Sequence, residues 1–386
     1  MPMPTAQLIA AEGLLDGDEA AGLFRRALHD RARGRAVRAC ETWARLELAA
    51  RHAGARHLAV QAGAERAVTL TWMGALSVAG VLCEQLLVEL AELEQDGAPL
   101  APPPLDQAEI DGFAGAWFSL PGLHRLRAEQ LRRAGDYAGA LEELEEASRS
   151  PDQRPHEALP LWGRVILSES LRLAGDFEGA HEVAIAAEEQ ATRSGGHPWV
   201  RVTANRAVAR ALLGLDELDA ALARFTALAD DPAHRHADGG IACDLGIGET
   251  LRRRGDHARA QVHLDRASAA ALRHGHVVGW IQAQLCLAEL ARARHASAGE
   301  VTAIVADVQR RLALVEHPFL RLRTFAIGAL SATGEQAERL VDRAEDELPR
   351  FHRRSCDLEL ERELVEICRV AVAAGEEPPP IAMDFL

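Results

Sequence analysis

The feature that most constrains this chain is a register of small residues that returns about every forty positions. Aligning RRAGDYAGALEEL, RLAGDFEGAHEVA, LGLDELDAALARF and RRRGDHARAQVHL brings Ala140, Ala180, Ala221 and Ala260 into one column, at spacings of 40, 41 and 39 residues. Twelve residues before them run Ala128, Ser168, Ala209, Gly248 and, one unit further on, Ala288. Three residues after that set come Leu131, Leu171, Leu212, Leu251 and Ala291. Ala147, Ala187, Leu228 and Ala267 follow the first column by seven. Four columns that keep one phase over some 160 residues define a repeated supersecondary unit.

The unit reads as a helical hairpin. Small residues let helix A approach helix B, and a glycine followed by aspartate (Gly135, Gly175, Gly255) closes the turn. Each pair leaves an apolar face that only the next pair can cover. Composition agrees: hydrophobic residues are 48% but aromatics only 4%, and alanine is abundant, which favours close-packed helices over sheets.

These segments resemble tetratricopeptide repeats. That family places a small residue at position eight, glycine and an acidic residue at fifteen and sixteen, an aromatic at seventeen, and alanine at twenty and twenty-seven. Gly135-Asp136-Tyr137 and Gly175-Asp176-Phe177 match at fifteen to seventeen, and Gly255-Asp256-His257 matches with histidine in the aromatic place. The third unit departs, with Asp216-Glu217-Leu218 in place of the glycine turn, although Phe225 stands at twenty-four. The fifth, from about Ile281, keeps Ala288 and loses the turn signature at His295-Ala296-Ser297. A sixth, from about Pro318, recovers Ala337, Ala344 and Pro349. The period exceeds the family's usual length of about 34 residues, and in this the chain resembles the arrays of large bacterial signal-responsive regulators.

The resemblance implies an all-α fold, an α-solenoid of stacked helical hairpins. Residues 1–95 form an N-terminal helical block, either degenerate repeats or a separate capping bundle. Asp96 to Pro104 cannot continue a helix, so 96–105 reads as a proline-rich linker. The solenoid is expected over 106–351, a capping helix over 352–375 and a flexible tail over 376–386, where Glu376-Glu377-Pro378-Pro379-Pro380 precedes Ile381-Ala382-Met383-Asp384-Phe385-Leu386.

Several functions are excluded by what is missing. All 43 basic residues are arginine, so there is no lysine for a phosphate loop, a kinase strand, a pyridoxal Schiff base or a serine–lysine pair. A net charge of -15 argues against nucleic acid or an anionic membrane as partner. The longest uncharged stretch, Ala67 to Cys83, falls short of the roughly 20 residues of a membrane span. Six scattered cysteines without a C-x-x-C pair read as small buried hydrophobes in a reducing compartment, which points to the cytoplasm. The N-terminus has no basic region of a secretory signal. His234-Arg235-His236 with Asp238, and His274-Gly275-His276, lack metal-site spacing and read as loop histidines. No nucleophile motif is present, and neither enzymatic activity nor a cofactor is expected. Arginine-only usage fits a GC-rich bacterial genome.

One polar pattern recurs. Glu129/Arg132, Glu169/Arg172, Glu249/Arg252 and Glu289/Arg292 form Glu-x-x-Arg on helix A, with Arg210 in the glutamate's place in the third unit. They stand at positions nine and twelve, which in the resembled family line the concave face. Two readings are open: solvated i,i+3 ion pairs worth about 0.2–0.5 kcal/mol each, or a striped groove that reads a peptide by charge and backbone contacts. With Arg125, Arg206 and Trp162, these residues make up the candidate partner-binding groove. Trp162, Trp199 and Trp280 read as wedges between repeats or as aromatic anchors in the groove. The function expected is a protein- or peptide-binding scaffold or adaptor, the regulatory subunit of a partner protein. The rival is a sensor whose groove takes a small molecule or signalling peptide.

Overall fold

The computed structural model describes residues 17–95, 119–149, 158–193, 198–231, 237–313, 315–350 and 359–375. All of the expected linker, 96–105, and all of the tail, 376–386, lie outside them. Among the described residues there are seventeen α-helices and no strand. They are α1 (Gly17–Ala32), α2 (Ala36–His52), α3 (Arg56–Met73), α4 (Leu76–Gln95), α5 (Leu120–Arg133), α6 (Tyr137–Arg149), α7 (Ala158–Leu173), α8 (Phe177–Arg193) and α9 (Pro198–Gly214). Then follow α10 (Leu218–Asp230), α11 (Ala237–Arg253), α12 (His257–His274), α13 (Val277–Ala293), α14 (Ala298–Leu312), α15 (Pro318–Ala329), α16 (Glu335–Glu345) and α17 (Glu359–Ala374). Helices pack in sequence order, each hairpin on the next, so the chain is an all-α solenoid.

A helix that ends leaves carbonyls without partners, and a tight reversal must satisfy them at once. Seven turns within hairpins do this in the same way, and those at Gly54 and Gly275, between hairpins, follow them. The N–H groups of Gly34, Gly74, Gly135, Gly175, Asp216, Gly255 and His295 each donate to the carbonyl three residues back, and the next N–H donates to the carbonyl five back. This is the bond pair of a Schellman cap, which needs a left-handed residue. The φ values run from 55 to 90°. Asp136, Asp176 and Asp256 then cap the outer helix, accepting from the N–H groups of Gly139, Gly179 and Arg259 at 2.9, 2.9 and 3.2 Å. The glycine–aspartate signature is thus one residue ending helix A and one starting helix B. The two units that depart from it keep the geometry, with Asp216 and His295 held at φ 59 and 55°.

The same turn places the N-terminal block. Around Gly34 and Gly74, Ala27/Ala39 and Ala67/Ala79 occupy the positions that Ala128/Ala140 hold around Gly135, and all are fully buried. So α1–α2 and α3–α4 are hairpins in the repeat register. Successive turns lie 39 to 41 residues apart except for the 61 from Gly74 to Gly135, an interval that contains the segment 96–118. Stacking is continuous across it: Gln130 Nε2 donates to Thr71 Oγ1 and the Ala79 carbonyl at 3.3 and 3.4 Å, and Arg133 donates to the Thr71 carbonyl at 3.3 Å.

The small-residue columns do what close approach demands. Ser168 Oγ of α7 donates to the Ala180 carbonyl of α8 at 2.8 Å, and a Cβ on Gly248 would stand 2.6 Å from the Leu264 side chain. The inner helices are buried on every side, as in α13, where residues 278 to 281 and 285 to 292 are all buried. The outer helices are one-sided, α16 burying only Ala337, Val341 and Ala344. One apolar cluster runs from Tyr137 to Cys368, with separate clusters under α3–α5 and α1–α3, the last centred on Phe24 and Trp43, whose rings meet edge to face at 4.7 Å.

After about 240 residues the solenoid meets itself. Gly34 lies against the backbone of His274, where any Cβ would overlap the carbonyl. Glu316 N–H donates to the Gly74 carbonyl at 3.0 Å, and the Ser77 N–H donates to the Glu316 carboxylate at 2.6 Å. Helix α3 also packs against α13. The first hairpins and the last therefore form two courses in contact, and the fold completes a turn.

Candidate functional site: the inner wall

The repeated Glu-x-x-Arg pairs form, one helical turn apart on the inner helices. Glu129 binds Arg132 at 2.7 Å, Glu169 binds Arg172 at 3.0 Å, Glu249 binds Arg252 at 2.6 Å and Glu289 binds Arg292 at 2.8 Å. Arg210 of α9 reaches back to Glu169 of α7 at 3.1 Å, so the departure in the third unit completes its neighbour's pair. Two further arginines, one residue on, take the second side of the carboxylate: Arg133 on Glu129 at 2.6 Å and Arg253 on Glu249 at 3.0 Å. Arg253 also donates to the Leu213 carbonyl of the preceding inner helix at 2.9 Å, as Arg133 does to Thr71. These clamps between hairpins were missed in the sequence, although the doubled arginine of LRRAG and LRRRG marks them.

What differs from both sequence readings is the environment. Glu249 and Glu289 have no exposed surface, Glu169 5%, and Arg172, Arg252 and Arg292 keep 3 to 5%. Neither solvated helix faces nor an open stripe would give those values. Three of the four pairs are buried, while Arg132 and Glu129 keep 13% and 18% of their side chains exposed. Burial alone would raise the carboxylate pKa values, and the adjacent guanidiniums overcome it. Arg132 and Arg133 hold Glu129 at about 2, and Glu169 and Glu249 are likewise depressed by their arginines.

The remaining candidates divide. Arg206 sits partly buried on α9, its charge acting on Cys243 of α11. Arg125 is buried on α5 against Gly163 of α7. The side chain of Trp162, like that of Trp199, lies outside the described residues. Trp280 is a core residue, with the Arg311 guanidinium 4.0 Å above its ring. His276 Nδ1 accepts from the Gly279 N–H at 2.8 Å and caps α13, while His234 and His236 lie outside the described residues. Among the described residues no group of His, Cys, Asp or Glu is placed to hold a metal ion. Cys83, Cys243, Cys286 and Cys368 are buried, and burial pushes the Cys83 thiol up to about 12.

Later helices add groups absent from the repeat pattern. Glu361 of α17 and Arg323 of α15 are buried close enough to Tyr137 to act on its hydroxyl, together with Arg132 and Arg172. Burial first, then Glu361, pushes the tyrosine above its ordinary range. His317, at the start of α15, lies beside Arg133, Arg132 and Glu129, and burial chiefly lowers its pKa to about 3. A signal for Glu361 existed: it shares the apolar stripe of α17 with Leu364, Val365 and Cys368.

The geometry defines a helical-repeat protein whose inner wall is a ladder of enclosed ion pairs. Among solved structures, the fold is similar to that of a Rap protein complexed with Competence and Sporulation Factor, with a TM-score of 0.56 over 93% of this chain and 98% of that one. Only 13% of residues are identical, so the likeness is one of fold. No protein-family model matches the sequence, and no curated protein matches it either.

Proposed function

We propose that this chain is a tetratricopeptide-type regulator that binds a peptide or protein segment and acts as adaptor or regulatory subunit of a partner, with no catalysis of its own. The observation that carries the reading is the likeness along nearly the whole of both chains to a protein whose structure holds a Competence and Sporulation Factor. Charge supports it. On the inner wall from α5 to α9, Arg132, Arg133, Arg172 and Arg210 share the two carboxylates of Glu129 and Glu169, in a chain whose net charge is -15. An excess of cation inside an acidic protein suits a partner that brings carboxylates. Because three of the four pairs are buried, a partner that reaches those three displaces part of the packing around them. Among the described residues no helix is long and apolar enough to cross a membrane, which is compatible with work in the cytoplasm.

The small-molecule form of the sensor reading has less support. A cleft of about 260 Å³ lies between α14, α15 and α16, lined by Thr302, Gln309, Gln336 and Arg343 and away from the ion pairs. The test is affinity capture from the native host followed by amide hydrogen exchange of the complex. Added protection on α5, α7, α9 and α11 is the expected result. Protection confined to outer helices would overturn the inner-wall reading, and a partner that is not polypeptide would overturn the adaptor.

A further inference from the structure

The inner-wall arginines at position twelve and Arg210 each have a carboxylate, at 2.6 to 3.1 Å. Arg125 does not. It is 7% exposed, its Nη1 is cut off from solvent, and that atom has no hydrogen-bond partner. Its natural i,i+4 neighbour, Glu129, is fully engaged by Arg132 and Arg133. The equivalent slots one, three and four units on hold Val165, Leu245 and Leu285, all buried, so the local rule at this place is an apolar side chain. Arg206 is the other exception. A guanidinium in an apolar slot without an acceptor is costly to the fold, since an unpaired buried charge loses its hydration with nothing in return. Burial lowers the pKa of Arg125 to about 10, which leaves it charged at neutral pH. Gly163 of α7 lies beside it, close enough that a Cβ there would make an ordinary contact with Arg125 Nε at 3.4 Å.

We propose that Arg125 is the recognition point for a carboxylate of the bound peptide, which takes the acceptor place that the chain itself leaves empty. The proposal rests on the peptide-binding reading above and specifies its chemistry. A planar guanidinium fork matches a carboxylate with two parallel N–H···O bonds, and one positive charge balances one negative. The carboxylate comes from an aspartate or glutamate side chain or from a free C-terminus.

The test uses the full chain and its Arg125→Met variant, which keeps an unbranched apolar stem and removes the guanidinium. A synthetic library of dodecapeptides with free C-termini is captured on each protein and read by mass spectrometry, and an enriched peptide is resynthesised with Asp or Glu changed to Asn or Gln, or with a C-terminal amide. Expected is an enriched acid at a fixed place, at least a tenfold loss of affinity on Arg125→Met, and no further loss when the neutralised peptide meets that variant. The side-chain and amide versions distinguish the two sources. The variant melts at or above the wild type, because it removes an unpaired buried charge. Peptides enriched without an acid, or bound equally by both proteins, overturn the carboxylate contact and leave peptide binding standing. No enrichment on the wild type overturns peptide binding itself and the proposal with it. A lower melting temperature for Arg125→Met makes the arginine a structural residue and also overturns the proposal.

Discussion

Two buried glutamates, Glu249 on α11 and Glu361 on α17, behave in opposite ways, and the difference is who stands beside them. Glu249 has both oxygens bound, by Arg252 and Arg253, and its pKa is lowered. Glu361 has neither oxygen hydrogen-bonded, and burial raises its pKa against the pull of Arg323. A carboxyl whose folded pKa is raised costs stability once it must ionise, so its penalty is absent below the ordinary carboxylate range and grows as pH rises through the folded value. Glu361→Gln should therefore melt higher than wild type at pH 7–8, by about 1–3 kcal/mol of relieved burial, and the gain should vanish near pH 4. Calorimetry across that range checks it. The sign reverses for the paired carboxylates, whose stabilisation is present above their unfolded pKa and lost as pH falls toward the folded one. For Glu129 that window runs from 4.5 down to about 2, so acid unfolding should develop there. Glu249→Ala leaves two arginines without their carboxylate and should cost about 3–5 kcal/mol in denaturant unfolding at neutral pH.

Among the elements, the turn is the unit that repeats most faithfully. Gly255 stands at φ 79° with open space around any Cβ, so Gly255→Ala tests backbone strain alone and should cost about 1 kcal/mol. Asp216→Gly and His295→Gly release the same strain and should each gain a comparable amount, read as a higher urea midpoint with unchanged slope. The turn also shows how much of the fold the sequence made legible. The hairpins from Gly135 to Gly255 could be read because glycine and the capping aspartate stand together. Those at Gly34 and Gly74 could not be aligned, since Arg35 and Ala75 follow the glycine and leave the cap unmarked. At Asp216 and His295 the sequence lost the glycine while the backbone kept its shape, because stacking on both sides fixes the turn. For the candidate site, spacing disclosed the Glu-x-x-Arg pairs but not their enclosure. Whether Glu289 is open to water depends on tertiary packing, which the spacing of the pair does not carry.

At the scale of the whole molecule, the contact between the two courses is the property that no single hairpin contains. Gly34 and Gly54 separate it from local strain. Both hold left-handed turns, at φ 73 and 71°, but a Cβ on Gly54 meets nothing while one on Gly34 overlaps His274. Gly54→Ala should cost about 1 kcal/mol. Gly34→Ala should cost more, and should raise amide exchange around Gly275 and Glu316 and the radius of gyration in solution scattering. Equal effects of the two would mean that the courses do not hold each other. An open solenoid gains or loses a unit with little consequence, since each hairpin knows only its neighbours. Here the partners across the courses are fixed by count: Gly74 finds Glu316 only because a set number of hairpins lies between. Removing one forty-residue unit would leave every local interface intact and bring the wrong turn to each contact, so this fold has a length it must keep, as a ring has a circumference.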